Sequence, residues 1–192
     1  MPTIDQILVV AATARELAPA AGWRTCVCGV GPVEAASATA AAIAGGRPAA
    51  ILHVGIAGAR RRAGLAPGTL VLGSEARYCD LAPANAFAPR VLTPAAVLLD
   101  AARRVLPASP TLVIGTSARV GGTADDECEV EAMEGFAVLR AAALAGVPAI
   151  EIRAISNEIE EADRSRWQFE LAFTAITAAT PRLVAEFLRC LS

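Results

Sequence analysis

The sequence predicts an α/β fold: one domain of three layers, with a central, mainly parallel or mixed sheet flanked by helices. Three observations predict it. Short continuous apolar runs suit strands buried on both faces. Ala-rich helical stretches alternate with those runs, the rhythm of crossover-connected parallel strands. A chain of 192 residues holds one such domain with a substantial core, so a single domain is expected over 1–192.

Taken in order, Ile7-Leu-Val-Val-Ala-Ala12 is the first buried run. Thr13 after it is a candidate N-cap, which places a strand-to-helix junction at Thr13–Glu16. Thr25–Val30 reads as a strand ending in Gly29-Val-Gly31-Pro32, and Val33–Ala44 as a helix closed by Gly45-Gly46. Ala50–Ile56 is another buried strand, running into Gly55-Ile-Ala-Gly58. Thr69–Tyr78 is a strand entered through Pro67-Gly68, Pro94–Leu106 a helix with Thr93 at its cap, and Thr111–Thr116 a strand. Cys79–Arg90 has no clear period and reads as a surface loop. Ala132–Ala145 is expected to be helical up to Gly146, and Pro148–Ile155 to be a strand with Ser156-Asn157 at its end. A polar connection then leads to a final helix beginning near Trp167.

In sheets of this kind ligands bind outside the carboxyl ends of the strands. Thr13–Glu16, Gly55–Gly58, Thr116–Gly122 and Ser156–Asn157 all fall there, so one site is expected where they converge.

Composition narrows the chemistry. All 17 basic residues are Arg, and without Lys there is no Schiff-base lysine and no Walker-type phosphate loop. The one histidine, His53, lies inside an apolar run, where a hydrogen-bonded core residue is the default reading. The five cysteines are odd in number, and Cys26-Val-Cys28 is too closely spaced for the usual zinc or redox pair, so reduced thiols and no protein-held metal are expected. No cofactor is called for. A formal charge of −2 with scattered charges argues against nucleic acid or an anionic membrane as partner, and Arg60-Arg61-Arg62 reads as a solvated loop. The apolar stretches are interrupted before the ~18 residues of a membrane span, and the start Met1-Pro-Thr-Ile-Asp-Gln6 lacks the pattern of a secretory signal. A cytoplasmic location is the expectation.

Two segments carry more specific information. Glu151-Ile-Arg-Ala-Ile-Ser-Asn157, preceded by Val130-Glu-Ala-Met-Glu-Gly135, resembles the most diagnostic stretch of the purine nucleoside phosphorylase and nucleosidase superfamily. Gly55-Ile-Ala-Gly58 resembles that family's glycine-rich turn, and Gly68-Thr-Leu-Val-Leu72 with Glu75-Ala-Arg-Tyr78 the strand after it. Within the superfamily, Met-Glu-Gly together with Arg-Ala-Ile-Ser-Asn and Asp163-Arg-Ser-Arg-Trp167 looks most like the futalosine hydrolases, which release hypoxanthine from futalosine in menaquinone biosynthesis.

The resemblance implies roles, residue by residue. Glu134 matches the glutamate that accepts hydrogen bonds from the ribose hydroxyls and favours the developing oxocarbenium charge, with Met133 packed on the ribose face. The plain alternative is a solvated helix carboxylate. Glu16 stands where the nucleosidases carry the carboxylate that orients and deprotonates the attacking water, the alternative being a surface partner on the first helix. Asn157 stands where adenine-releasing relatives have Asp. A 6-oxopurine offers acceptors at N7 and O6, so a donating amide suits hypoxanthine, while a structural cap is the bland reading. Ser156 would orient Asn157 or touch the base. Ala57 and Gly58 would let backbone approach the sugar, and Thr13 belongs to the same pocket. Trp167 would line the pocket for the 5′ substituent or simply fill core. Arg166 or Arg164 would pair with the carboxylate of futalosine's aryl arm.

The segment from Val113 to Val130 departs from the pattern, being shorter than in relatives, and Val120-Gly-Gly-Thr123 replaces the usual aromatic and Asn. Val120 remains a lining residue. Three rival functions follow: an adenine-releasing methylthioadenosine or adenosylhomocysteine nucleosidase, a purine nucleoside phosphorylase, and a nucleoside-binding module without catalysis. The expected partners are a small purine nucleoside and further copies of the chain in a homo-oligomer, as relatives form.

Overall fold

The computed structural model of the protein describes residues 1–81, 88–120 and 128–192. Its strands are β1 (Ile7–Ala11), β2 (Arg24–Val27), β3 (Ala50–Ala59), β4 (Leu70–Tyr78), β5 (Val91–Leu92), β6 (Thr111–Thr116), β7 (Val130–Ala132) and β8 (Ala149–Glu158). The helices are α1 (Pro32–Ala44), α2 (Ala96–Val105), α3 (Gly135–Leu144) and α4 (Phe169–Leu191).

The sheet is mixed. β1 pairs in parallel with β2 and β3, β3 with β8, β4 with β6, and β6 with β7, whereas β7 runs antiparallel to β3, and both β5 and β8 run antiparallel to β4. Followed round, β3, β8, β4, β6 and β7 return to β3 and close into a ring, which leaves these strands no open edge. β1 and β2 extend the sheet beyond the ring.

Three apolar clusters correspond to the layers. One joins β1, β3 and β8 to α2 and α4 through residues such as Leu52, Ile152, Leu98 and Phe187. A second joins the opposite face to α1 and α3 through Val10, Ile51, Ile43 and Val138. The third, Ala57, Val71, Ile114, Val130 and Ile155 with their neighbours, belongs to the strands of the ring. By length and composition α4 would suffice to cross a membrane. Here its apolar residues Ala172, Ile176, Leu183 and Phe187 fill the core, while Arg104 and Arg189 pair with Glu186 on its other side.

The departures from the predicted elements have physical causes, and most lie at the site. β3 and β8 run on to Ala59 and Glu158, through the glycines read as a turn, because the two strands stay paired along their length. Gly55 is needed for close approach instead: a Cβ there would lie 2.1 Å from Nη1 of Arg153. The Met133-Glu134 pair is not on a helix. It connects the three-residue β7, too short to show a period, to the first turn of α3. Thr13–Glu16 is a single 3₁₀ turn, Ala14–Glu16, not the start of a long helix. β2 stops at Val27, before Gly29 and Gly31 adopt φ of 81° and 95°. α2 starts at Ala96, because Ala95 is extended, with φ −62° and ψ 125°, and donates its N–H to Ala149 O at 3.0 Å. α4 starts at Phe169, after a separate 3₁₀ turn at Arg164–Arg166. The predicted loop at Cys79–Arg90 lies partly outside the described residues.

Candidate active site

The turn after β1 aims Glu16 inward. Its Oε2 accepts from the Thr13 N–H at 2.8 Å and from the Thr13 hydroxyl at 2.9 Å, and its Oε1 accepts from the Ile56 N–H at 3.1 Å. Only 3% of Glu16 is exposed. Three donors, two from Thr13 after β1 and one from Ile56 within β3, therefore hold one carboxylate in a set orientation.

Glu134 belongs to a larger buried network whose hub is Arg153, on β8. The guanidinium donates from Nε to Glu151 Oε1 at 2.8 Å and from Nη2 to Glu134 Oε2 at 3.3 Å and to His53 Nε2. The other Glu134 oxygen accepts from the Gly31 N–H at 3.1 Å. Burial by itself would lower the pKa of Arg153, but Glu151, Glu134 and Glu16 more than offset it, so the group is held above its ordinary value and stays charged. Burial pushes Glu151 up, against the pull of Arg153. His53 goes well below its ordinary value, through burial and then through Arg153, so it is neutral. Because Arg153 donates to Nε2, the proton of His53 sits on Nδ1, which faces Val10 O at 3.1 Å. His53 is thus a support of the network. Gly135 makes room for it: a Cβ there would fall 2.0 Å from the Glu151 carboxylate.

Asn157 is placed by a bulge. The β3–β8 register shifts between Ala57 and Gly58, so that Ala57 faces Ile155 and Gly58 faces Asn157, leaving Ser156 as the extra residue. Such a bulge re-aims the side chains beside it. Ser156 donates its hydroxyl to Asn157 Oδ1 at 2.7 Å and to Ala57 O at 3.2 Å, while Asn157 Nδ2 donates to Glu158 O at 2.8 Å. Among the described residues the second N–H of Nδ2 has no protein acceptor. Gly58 permits this arrangement, since a Cβ there would press on Nδ2 at 3.1 Å.

Glu16, Glu134 and Asn157 open on one cleft of about 380 Å³. Thr13, Ala57, Gly58, Met133 and Ser156 line it beside them. Val120 and Trp167 line it too, whereas Gly121-Gly122-Thr123 lie outside the described residues. Arg166 does not line this cleft. Its side chain is 72% exposed, pairs with Glu161 at 3.3 Å and Asp163 at 3.8 Å, and borders a second depression, next to Arg60 and Arg61, that shares Ser156 and Asn157 with the cleft. The 3₁₀ turn is the cause: it sends Arg166 outward while the next residue, Trp167, is tied inward by its Nε1 donating to Glu161 O at 3.0 Å. Arg164 does not line the cleft either, its guanidinium standing 5.5 Å from the Trp167 ring.

Sequence reasoning missed several contributors. Phe169, Phe173, Ile159, Glu131 and Arg119 line the cleft, and Arg153 and Glu151 support it from behind; Arg15, which the sequence places beside Glu16, lines it as well. The i, i+4 spacing of Phe169 and Phe173 was the available signal for those two, and it is the same spacing a core stripe shows. Among the described residues, no three His, Cys, Asp or Glu side chains gather as a metal site.

Residues 24–189 match the phosphorylase superfamily. The chain is also 35% identical to a futalosine hydrolase of Streptomyces coelicolor, across 84% of this chain and 78% of that one. The chain belongs to the phosphorylase superfamily, among the futalosine hydrolases. A futalosine hydrolase of Thermus thermophilus is 33% identical, with 82% and 79% of the two chains covered. Solved superfamily structures share the fold. The methylthioadenosine/adenosylhomocysteine nucleosidase of Colwellia psychrerythraea, in complex with adenine, aligns at a TM-score of 0.83 over 94% of both chains with 20% identity. The Neisseria meningitidis nucleosidase, in complex with methylthio-immucillin-A, aligns at 0.79 over 95% of this chain and 98% of that one, with 22% identity.

Proposed function

We propose that the protein hydrolyses the N-ribosyl bond of futalosine, yielding hypoxanthine and dehypoxanthinyl futalosine for menaquinone biosynthesis. The observation that carries this reading is the convergence of Glu16, Glu134 and Asn157, from three separate stretches of chain, on one cleft. The futalosine hydrolases among its relatives supply the substrate.

Each group has one task. Glu134 accepts from the ribose hydroxyls, and its charge favours the cation that develops at the anomeric carbon. Glu16 holds a water in line with that carbon and takes its proton as the carbon–oxygen bond forms. The carbon–nitrogen bond breaks with its electron pair going to the purine. Asn157 donates its remaining N–H to the 6-oxopurine edge as negative charge builds, and solvent protonates the departing base. Arg153 keeps its charge throughout, tying Glu134 to Glu151 and fixing the ribose-binding carboxylate in place. The enzyme works as a cytoplasmic homo-oligomer on a free small-molecule substrate.

Incubation with futalosine, inosine and methylthioadenosine in phosphate-free buffer, following the free base, tests this. Hypoxanthine released from futalosine without phosphate is the expected result. Adenine from methylthioadenosine as the main product, or an absolute need for phosphate, would overturn it. Asn157→Asp should move preference toward 6-aminopurines.

A further inference from the structure

Cleavage of the ribosyl bond leaves one wall of the cleft without a task. Trp167, Phe169 and Phe173 run along it as a ladder, with ring centroids 5.5 Å and then 6.3 Å apart, and all three border the cavity. They are only half-buried. At the Phe173 end lies Arg15, its guanidinium 4.5 Å from the ring centroid and ion-paired with Glu170. Arg15 also borders the cavity, and it precedes Glu16 in the same 3₁₀ turn, so its backbone is held by the machinery that orients Glu16.

We propose that Arg15 binds the carboxylate at the end of futalosine's 5′ arm, taking it in place of Glu170, while the aryl ring of the arm lies along Trp167, Phe169 and Phe173. This rests on the reading of the protein as a futalosine hydrolase. The chemistry of the wall fits the two halves of such an arm. An aromatic ladder takes an aryl ring by offset or edge contact, and a guanidinium already stacked on the last ring presents its planar fork to a carboxylate. Glu170 already shows the pairing: it is a carboxylate on Arg15, with its side chain 82% exposed against 62% for Arg15. An ion pair so exposed holds weakly and exchanges readily for a partner anchored by its own aryl ring. Of the other arginines near the wall, Arg166 pairs with Glu161 and Asp163 and Arg164 stands 5.5 Å from the Trp167 ring, and neither borders the cavity. Arg119 borders the cavity next to Val120, but the ladder ends on Arg15.

The test compares hydrolysis of futalosine with that of its methyl ester, which has the same aryl arm without the charge. For the unaltered enzyme kcat/KM should favour the free acid by roughly 10- to 100-fold, the range for a charge-assisted pair. Arg15→Ala should collapse that ratio toward one, chiefly through a higher KM for the acid. Glu170→Gln should lower KM for the acid, because the competing carboxylate is gone. If Arg15→Ala keeps the ratio, or if Arg119→Ala and not Arg15→Ala collapses it, the assignment of Arg15 is wrong although the enzyme is still a futalosine hydrolase. If phosphate accelerates the unaltered enzyme and Arg15→Ala removes that acceleration, Arg15 is a phosphate site and the proposal falls. If the unaltered enzyme releases no hypoxanthine from futalosine, the functional reading fails before Arg15 is in question.

Discussion

Arg153 and Arg62 are the same residue type in opposite surroundings. Arg153 is fully buried and reaches Glu151, Glu134 and His53. The Arg62 side chain is 51% exposed and meets Glu129 at 3.1 Å. Water replaces most of what an exposed pair loses, whereas nothing replaces a partner lost inside. The comparison shows where this protein invests charge: the buried cluster sets the position of Glu134, the carboxylate proposed to bind ribose, and the surface pairs lie outside it.

Substitutions should expose that difference in graded fashion. The largest effect is expected for Glu16→Gln, which keeps the shape of the side chain but removes the carboxylate proposed as base: kcat for hypoxanthine release should fall by about 10²- to 10⁴-fold, with the urea unfolding midpoint moving little. Next comes Arg153→Met. Glu134 and Glu151 would be left buried without their cation, and unfolding in urea should show a loss of about 3–5 kcal/mol. A loss below ~1 kcal/mol would mean that the network is better hydrated than its burial implies.

His53 gives the next effect, through pH. Its folded pKa lies well below the ordinary value, through burial and then Arg153, so the unfolded chain takes up its proton first. The stability this neutral histidine provides is complete above about pH 6.5 and is lost as pH falls from there toward the folded pKa, at up to ~1.4 kcal/mol per pH unit. Urea midpoints measured between pH 7 and pH 5 should show this acid limb, and His53→Gln should flatten it. The smallest effect belongs to Arg62→Ala, which should change stability by no more than about 0.5 kcal/mol. A larger loss there would break the contrast with Arg153.

How much of this was legible in the sequence differs by element. The order of β1, β3, β6 and β8 and of the four helices follows from apolar runs and their breaks. Glu16, Glu134 and Asn157, the three groups proposed to act on the substrate, were named from motifs, and they line one cavity. The strand ends were misread at the site itself. Gly55 and Gly58 look like turn residues, yet they lie within β3, where the missing Cβ admits Arg153 and Asn157. β7 is three residues long and carries no period to read. Arg166 and Trp167 are adjacent in sequence, and only the 3₁₀ turn sends one outward and the other into the cleft.

By itself the sequence determined the layers and the absence of any lysine, because composition and periodicity are local properties, and its motifs carried the resemblance that implied the kind of chemistry. Tertiary structure decided what is near what. The closed ring of strands, the bulge at Ser156, the burial of Arg153 among carboxylates and the meeting of Arg15 with Phe173 all join residues far apart in the chain. No local pattern encodes such contacts, since they exist only once the strands have paired.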